Sequence, residues 1–123
     1  AYVYFTYGMH WMLNLVCEAE GVPAAVLIRA IQPAEGLSLM RVLRPNLADK
    51  PGWLNGPAKL TQALGIGRQQ NGADVCSEES GLWVERGISV PKEQVRALPR
   101  VGIGYAGEPW LSMPWRWLWD AGL

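Results

Sequence analysis

Apolar and polar positions change period along this chain, and the changes mark its elements. Four tyrosine or phenylalanine rings fall within the six positions from Tyr2 to Tyr7. In an extended strand Tyr2, Tyr4 and Thr6 share one face, and Val3, Phe5 and Tyr7 the other. Gly8 supplies the positive φ of a tight turn, and a second apolar segment follows from Met9. The pattern predicts a hairpin with Tyr7 and Met9 at its tip. After a polar turn at Glu18–Pro23, the run Ala24-Ala-Val-Leu-Ile-Arg-Ala-Ile31 reads as a strand continuous enough to be buried on both faces. Arg29 interrupts it, and a charge there must be paired or face a cavity.

Helical signals follow. The segment Pro33–Arg44 reads as a helix, with Pro33 in its first turn, Glu35 at the positive end of its dipole, and Leu39, Met40 and Leu43 as its apolar stripe. Pro45–Leu54 reads as a loop. Asn55 or Gly56 caps a short second helix, Pro57 opens it and Gly65 closes it, with Leu60, Ala63 and Leu64 as its buried face. Gly67–Ser80 is polar and loop-like, and Leu82–Glu85 reads as a short strand. Ser89–Pro99 is polar and bounded by prolines, with one turn of helix. Alternate glycines in Arg100–Glu108 indicate a strand or loop approached closely by other atoms. Pro114–Trp119 alternates in part and closes a sheet edge, its tryptophans at 115, 117 and 119 filling core and edge. Helices and strands mix without a βαβ rhythm. The expected fold class is α+β, a single domain over residues 1–123 with a mainly antiparallel sheet and a few short helices.

Composition adjusts this picture. A chain of 123 residues, half of them hydrophobic, suits one globular domain with one core. No apolar run is long enough to span a bilayer and no signal peptide is visible, so a membrane partner and secretion are not expected. The chain begins inside a strand and without Met, as a piece of a longer protein would. Eleven Lys and Arg balance eleven Asp and Glu, which does not advertise nucleic-acid binding. The charge is uneven, however. Arg29, Arg41, Arg44, Lys50, Lys59 and Arg68 precede an acidic group at Asp74, Glu78, Glu79 and Glu85, which leaves room for a local basic face. Two cysteines, Cys17 and Cys76, and one histidine do not make a four-ligand zinc site, and two free thiols are expected. A large ring beside a thioether is a poor choice for a solvated turn. It makes sense if the tip enters something flat and apolar, such as a gap between stacked bases.

The chain resembles the alkyladenine (3-methyladenine, methylpurine) DNA glycosylases of the mammalian type, which also occur in bacteria. The blocks that carry the resemblance span nearly the whole chain. They are Tyr2–Met9, Met12–Asn14, Val26–Ala30 with Pro33 and Glu35-Gly36, Gly56–Leu60 with Gln62–Leu64, and Arg100–Gly104 with Ala106–Glu108. The resemblance implies a curved antiparallel sheet with a protruding DNA-inserting hairpin. It implies excision of alkylated purines from double-stranded DNA after the damaged nucleotide is flipped into a pocket. Substrates of this class also include deaminated purines. No metal or organic cofactor is implied, and the family expectation is a monomer, cytoplasmic with the nucleoid in a bacterium or nuclear in a eukaryote.

By position, the resemblance makes Tyr7 the ring that enters the duplex from the minor groove. Met9 and His10 touch neighbouring bases or sugars, and Lys59 suits a phosphate. Tyr4 is a wall for the flipped base, Asn14 disfavours guanine at the pocket edge, and Leu27 packs in the same pocket. Arg29 and the Val101 backbone position the attacking water or the flipped nucleotide. In the family the general base is a glutamate in a Glu-Ala-Tyr-type motif before the Tyr-Val-Tyr strand. Neither that motif nor the stacking histidine and second tyrosine of the same region is present here. The chain therefore looks like the C-terminal majority of such an enzyme, and alone it is expected to be inactive or nearly so and to expose a sheet edge. On the residues alone, Arg29 serves equally as an ion-pair partner of Glu35 or Glu108, and Tyr4 as core. Two other functions remain open: a non-catalytic DNA-binding module that keeps the Tyr7 wedge, and a small β domain whose aromatic pocket holds a ligand.

Overall fold

The computed structural model describes residues 1–45 and 50–120. Residues Ala1–Glu85 form one compact unit, and the chain from Arg86 onward a second.

The first unit is built on a three-stranded antiparallel sheet of order β1-β2-β3, with β1 at Tyr2–Thr6, β2 at His10–Cys17 and β3 at Ala24–Leu27. The hairpin is the one expected. The Thr6 carbonyl accepts the Met9 N–H at 3.2 Å, and the two residues between them have positive φ, 51° at Tyr7 and 70° at Gly8. Positive φ at both central residues is what the right-handed twist of a hairpin selects. Pairing resumes at Thr6↔His10 and runs through Tyr4↔Met12 to Tyr2↔Asn14.

The register divides the sheet cleanly. Val3 and Leu13 are cross-strand partners and point to the core, where they meet Leu60 and Ile66. Trp11, Ile28, Ile31 and Leu82 pack around that cluster. Helix α2, Pro57–Leu64, supplies Leu60, which is 0% exposed. Its expected punctuation holds, with Gly56 as N-cap, Pro57 in the first turn and Gly65 left-handed at φ 66°. Its buried face is rotated from the expected one. Leu64 is exposed, and Thr61 takes the inward position, its hydroxyl 2.8 Å from the Trp11 carbonyl and 3.0 Å from that of Ala58. A threonine hydroxyl turned back on its own helix can enter a core because its proton is satisfied there.

The edges correct other expectations. The strand expected over Ala24–Ile31 stops at Leu27, and Ala25 and Val26 are exposed, so β3 is a short edge strand rather than one buried on both faces. Ile28 still donates to the Leu13 carbonyl at 3.0 Å, and Ala30 makes an isolated bridge with Asn55. The outer edge of β1 is occupied by residues 71–73. Ala1 N donates to the Ala73 carbonyl at 2.6 Å, Gly72 N–H to the Ala1 carbonyl at 2.9 Å, and Val3 N–H to Asn71 Oδ1 at 2.9 Å. The outer edge of β3 has no strand partner among the described residues.

Helix α1 covers Leu37–Leu43, later than expected, with Pro33 and Glu35 outside it and left-handed Gly36 as its N-cap. The expected apolar stripe is largely uncovered. Leu39 and Leu43 are exposed, as is their neighbour Val42, and Met40 is half-buried. Buried Arg44 fixes the helix to α2 instead. Its Nε donates to Gln62 Oε1 at 3.0 Å, and Nη1 donates to the Trp53 carbonyl. The Pro45–Leu54 loop lies partly outside the described residues. Gly67–Ser80 is loop with two short 3-10 turns, and Leu82–Glu85 is not a strand, since Val84 makes a single backbone bond to Val75.

In the second unit a 3-10 turn at Lys92–Gln94 leads into β4, Val95–Leu98, which pairs antiparallel with β5, Arg116–Trp119. The strand β4 lay unread in the proline-bounded polar segment. Arg100–Glu108 is a loop with a 3-10 turn at Gly104–Ala106, and no described atom lies within 4 Å of where a Cβ would stand at Gly102, Gly104 or Gly107. Gly102 and Gly107 serve positive φ, not close approach. Nor do the tryptophans fill a core: Trp115, Trp117 and Trp119 are all exposed. The whole is α+β with antiparallel pairing throughout, distributed over two small sheets. Cys17 and Cys76 are free and exposed. Among the described residues no helix is long and apolar enough to cross a membrane.

Candidate nucleic-acid interface

The sheet face opposite the core gathers most of the candidate residues. Residues directly opposite in a ladder share a face, so Tyr4 lies with Met12, Tyr2 with Asn14, and Asn14 with Leu27. Alternation adds Thr6 and His10 at the tip end. The Tyr2 and Tyr4 rings stack at 5.3 Å with 29° between planes, an aromatic wall on β1. Asn14 sits in the middle strand, 7% exposed, its Nδ2 donating to the Tyr2 carbonyl at 3.2 Å. That bond uses one amide hydrogen; the side chain retains a second donor and a carbonyl acceptor. The face thus offers stacked rings, a thioether and an aliphatic side chain around one fixed amide. That combination suits a flat, partly polar heterocycle.

The hairpin projects from the same sheet. Tyr7 is 81% exposed and Met9 68%. A tyrosine in the left-handed region is costly where asparagine is the ordinary choice, and such strain concentrates at functional tips. The shank below is braced by Phe5 and Trp11, cross-strand partners with ring centroids 4.8 Å apart.

Tyr4, Asn14, Leu27 and His10 are therefore brought to one face, and Tyr7 and Met9 to its tip. Arg29 follows two residues after β3, half-buried, and among the described residues no carboxylate pairs with it. Within the first unit the ion-pair alternative with Glu35 is not realised among the described residues. Lys59 is exposed on α2, the helix that packs on the core side, and its ammonium donates to the Gly52 carbonyl at 3.3 Å. Val101 lies in the glycine loop of the second unit and is exposed. The sequence reading passed over Tyr2 and Met12 as site residues. The register would have found them, because a turn at residues 7–9 sets Tyr4 against Met12 and Tyr2 against Asn14. Strands β1, β2 and β3 carry no Asp or Glu. No three His, Cys, Asp or Glu among the described residues come together as a metal would require.

Residues 1–122 match the family model of methylpurine-DNA glycosylase. The chain belongs to this family. A relative from Methanocella arvoryzae, provisionally named a 3-methyladenine DNA glycosylase, is 51% identical over 116 residues, covering 94% of this chain and 56% of that protein. Relatives with the same provisional name from Burkholderia lata and Rubrobacter xylanophilus are each 43% identical, covering 94% and 96% of this chain and 54% and 57% of those proteins. The chain thus spans about half the length of the curated relatives it matches. The family match runs through both compact units.

Proposed function

We propose that this chain is the DNA-reading part of a base-excision glycosylase that flips alkylated purines of the 3-methyladenine type out of duplex DNA and hydrolyses their N-glycosidic bond, with the two units as parts of one domain. The observation that carries the reading is the joint placement of an exposed, strained Tyr7 at a hairpin tip and the Tyr4–Asn14–Leu27 face at its base. In this reading Tyr7 fills the space left in the stack, and Met9 and His10 touch the flanking nucleotides. The extruded base lies against Tyr4 and Tyr2. The fixed Asn14 amide faces the purine edge and rejects the extra amino group of guanine, since a donor facing a donor leaves both unpaired. Arg29, free of carboxylates, is available for a phosphate or for the attacking water. A role for the Val101 backbone at the water site rests on the family resemblance alone, and Lys59 contacts a phosphate.

A hydrolytic glycosylase needs a general base within hydrogen-bond reach of its water. The site face has no carboxylate, and we assign none of this chain's acids to that role. Acting alone, the chain is expected to hold damaged DNA without turning it over. The deciding experiment measures release of free 3-methyladenine from methylated duplex DNA, by chromatography, for the chain as it stands and for the chain extended by the reading frame upstream of Ala1. Release by the extended protein only is the expected result. Release by neither would overturn the glycosylase reading, and robust release by the chain alone would overturn the assignment of the base to another segment.

A further inference from the structure

The outer half of the hairpin stands clear of the wider sheet. Pairing with β3 covers only Asn14–Cys17 of β2, and Ile28 adds one bond to the Leu13 carbonyl. From His10 to Met12 the strand has β1 as its only ladder partner among the described residues. A two-stranded ribbon is marginal in water, and its twist varies more than that of a wider sheet. Tyr7, at the end of this ribbon, is 81% exposed, so its direction is set by whatever holds the ribbon.

What holds it is a chain of contacts through Trp11. On the core-side face the Phe5–Trp11 pair comes next after Val3–Leu13 toward the tip. The two rings lie 4.8 Å apart with 42° between planes. Trp11 packs in turn against the cluster of Val3, Leu13, Leu60 and Ile66. Its carbonyl accepts the Thr61 hydroxyl of α2 at 2.8 Å. Its indole lies beside the Gly67 backbone, where a Cβ would stand 3.8 Å from Cε2 and Nε1. Phe5 is 50% exposed and outside the buried cluster, so it joins the tip to an anchored indole while adding little to the core. We propose that Phe5 and Trp11 are positioning residues of the DNA wedge: the ring pair, anchored on α2, sets the angle at which the tip carrying Tyr7 leaves the sheet. The proposal rests on the reading of Tyr7 as the ring that enters the duplex. A wedge held in one pose before binding loses less freedom on entry, whereas one on a loose ribbon must be ordered by the DNA.

Trp11 also serves the core, so Phe5 is the position to change. The test is equilibrium binding of the full chain to labelled duplexes with and without a stable abasic-site analogue, read as the ratio of the two affinities. It compares wild type, Phe5→Ala, Tyr7→Ala and the double variant. Phe5→Ala is expected to lower the ratio about two- to tenfold, and Phe5→Tyr, which keeps the ring, to preserve it. The double variant is expected to match Tyr7→Ala, because a brace has nothing to aim once the tip ring is gone. Partial unfolding cannot mimic this result, since it weakens both duplexes alike and leaves the ratio unchanged. An unchanged ratio in Phe5→Ala would overturn the proposal. So would losses that add in the double variant, which would make Phe5 a DNA contact in its own right. No preference in wild type, or full preference in Tyr7→Ala, would overturn the wedge reading itself and the proposal with it.

Discussion

Two residues hold most of the functional argument, Tyr7 and Asn14, and each departs from what stability alone would choose. Tyr7 occupies a left-handed position, φ 51°, next to Gly8 at φ 70°, where Asn-Gly is the favoured pair. Tyr7→Asn is therefore expected to raise stability by about 1 kcal/mol, read as a higher urea midpoint, while weakening binding to damaged duplex. Unchanged stability would mean that the tip is not strained. Asn14 is buried in an otherwise apolar strand and tied to the Tyr2 carbonyl. Asn14→Ala is expected to cost about 1 kcal/mol for that bond and to relax discrimination against guanine in the extended protein. Discrimination that persists in Asn14→Ala would place the selectivity elsewhere.

At the scale of elements, the core side of the sheet depends on α2. Leu60 is fully buried between the helix and the sheet, so Leu60→Ala is expected to cost about 2–5 kcal/mol, measured by denaturant unfolding. Thr61→Val leaves the Trp11 carbonyl without the hydroxyl that lies 2.8 Å away, and is expected to cost about 1–3 kcal/mol despite being isosteric. A neutral Thr61→Val would show that the carbonyl finds another partner.

The elements that could be read from the sequence were those with local punctuation. The Gly8 turn fixed the hairpin, and Pro57 and Gly65 bounded α2 within a residue. Where the signal was only apolar content the reading failed. Ala24–Ile31 is apolar enough for a buried strand, yet β3 ends at Leu27 on an open edge. Leu39, Met40 and Leu43 look like a buried stripe, yet Leu39 and Leu43 are exposed, and the helix is instead fastened by Arg44 through Gln62 and Trp53, a contact that periodicity does not encode. Within the site, Tyr4, Asn14 and Leu27 were named through the family resemblance. That they share one face follows from register, which the turn determines, and the same register adds Tyr2 and Met12. The strand β4 escaped because its partner β5 lies some twenty residues later, beyond the reach of local pattern.

On the scale of the whole molecule, the proposed DNA binding by a neutral chain rests on placement of its groups rather than on bulk charge. The sheet of the first unit has two unlike faces, with Val3 and Leu13 holding the fold on one side and Tyr4, Asn14 and Leu27 on the other, where the proposed ligand would lie. Affinity for duplex is accordingly expected to fall with added salt by a shallow slope, because few phosphates are contacted. The central claim, that the Tyr7 hairpin reads damaged duplex, is tested most directly by equilibrium binding of the chain to a labelled duplex containing a stable abasic-site analogue, beside the matching undamaged duplex. The account predicts preference for the abasic duplex in wild type and, in Tyr7→Ala, its loss by about tenfold or more with folding unchanged. Equal binding to the two duplexes by wild type, or undiminished preference in Tyr7→Ala, would contradict it.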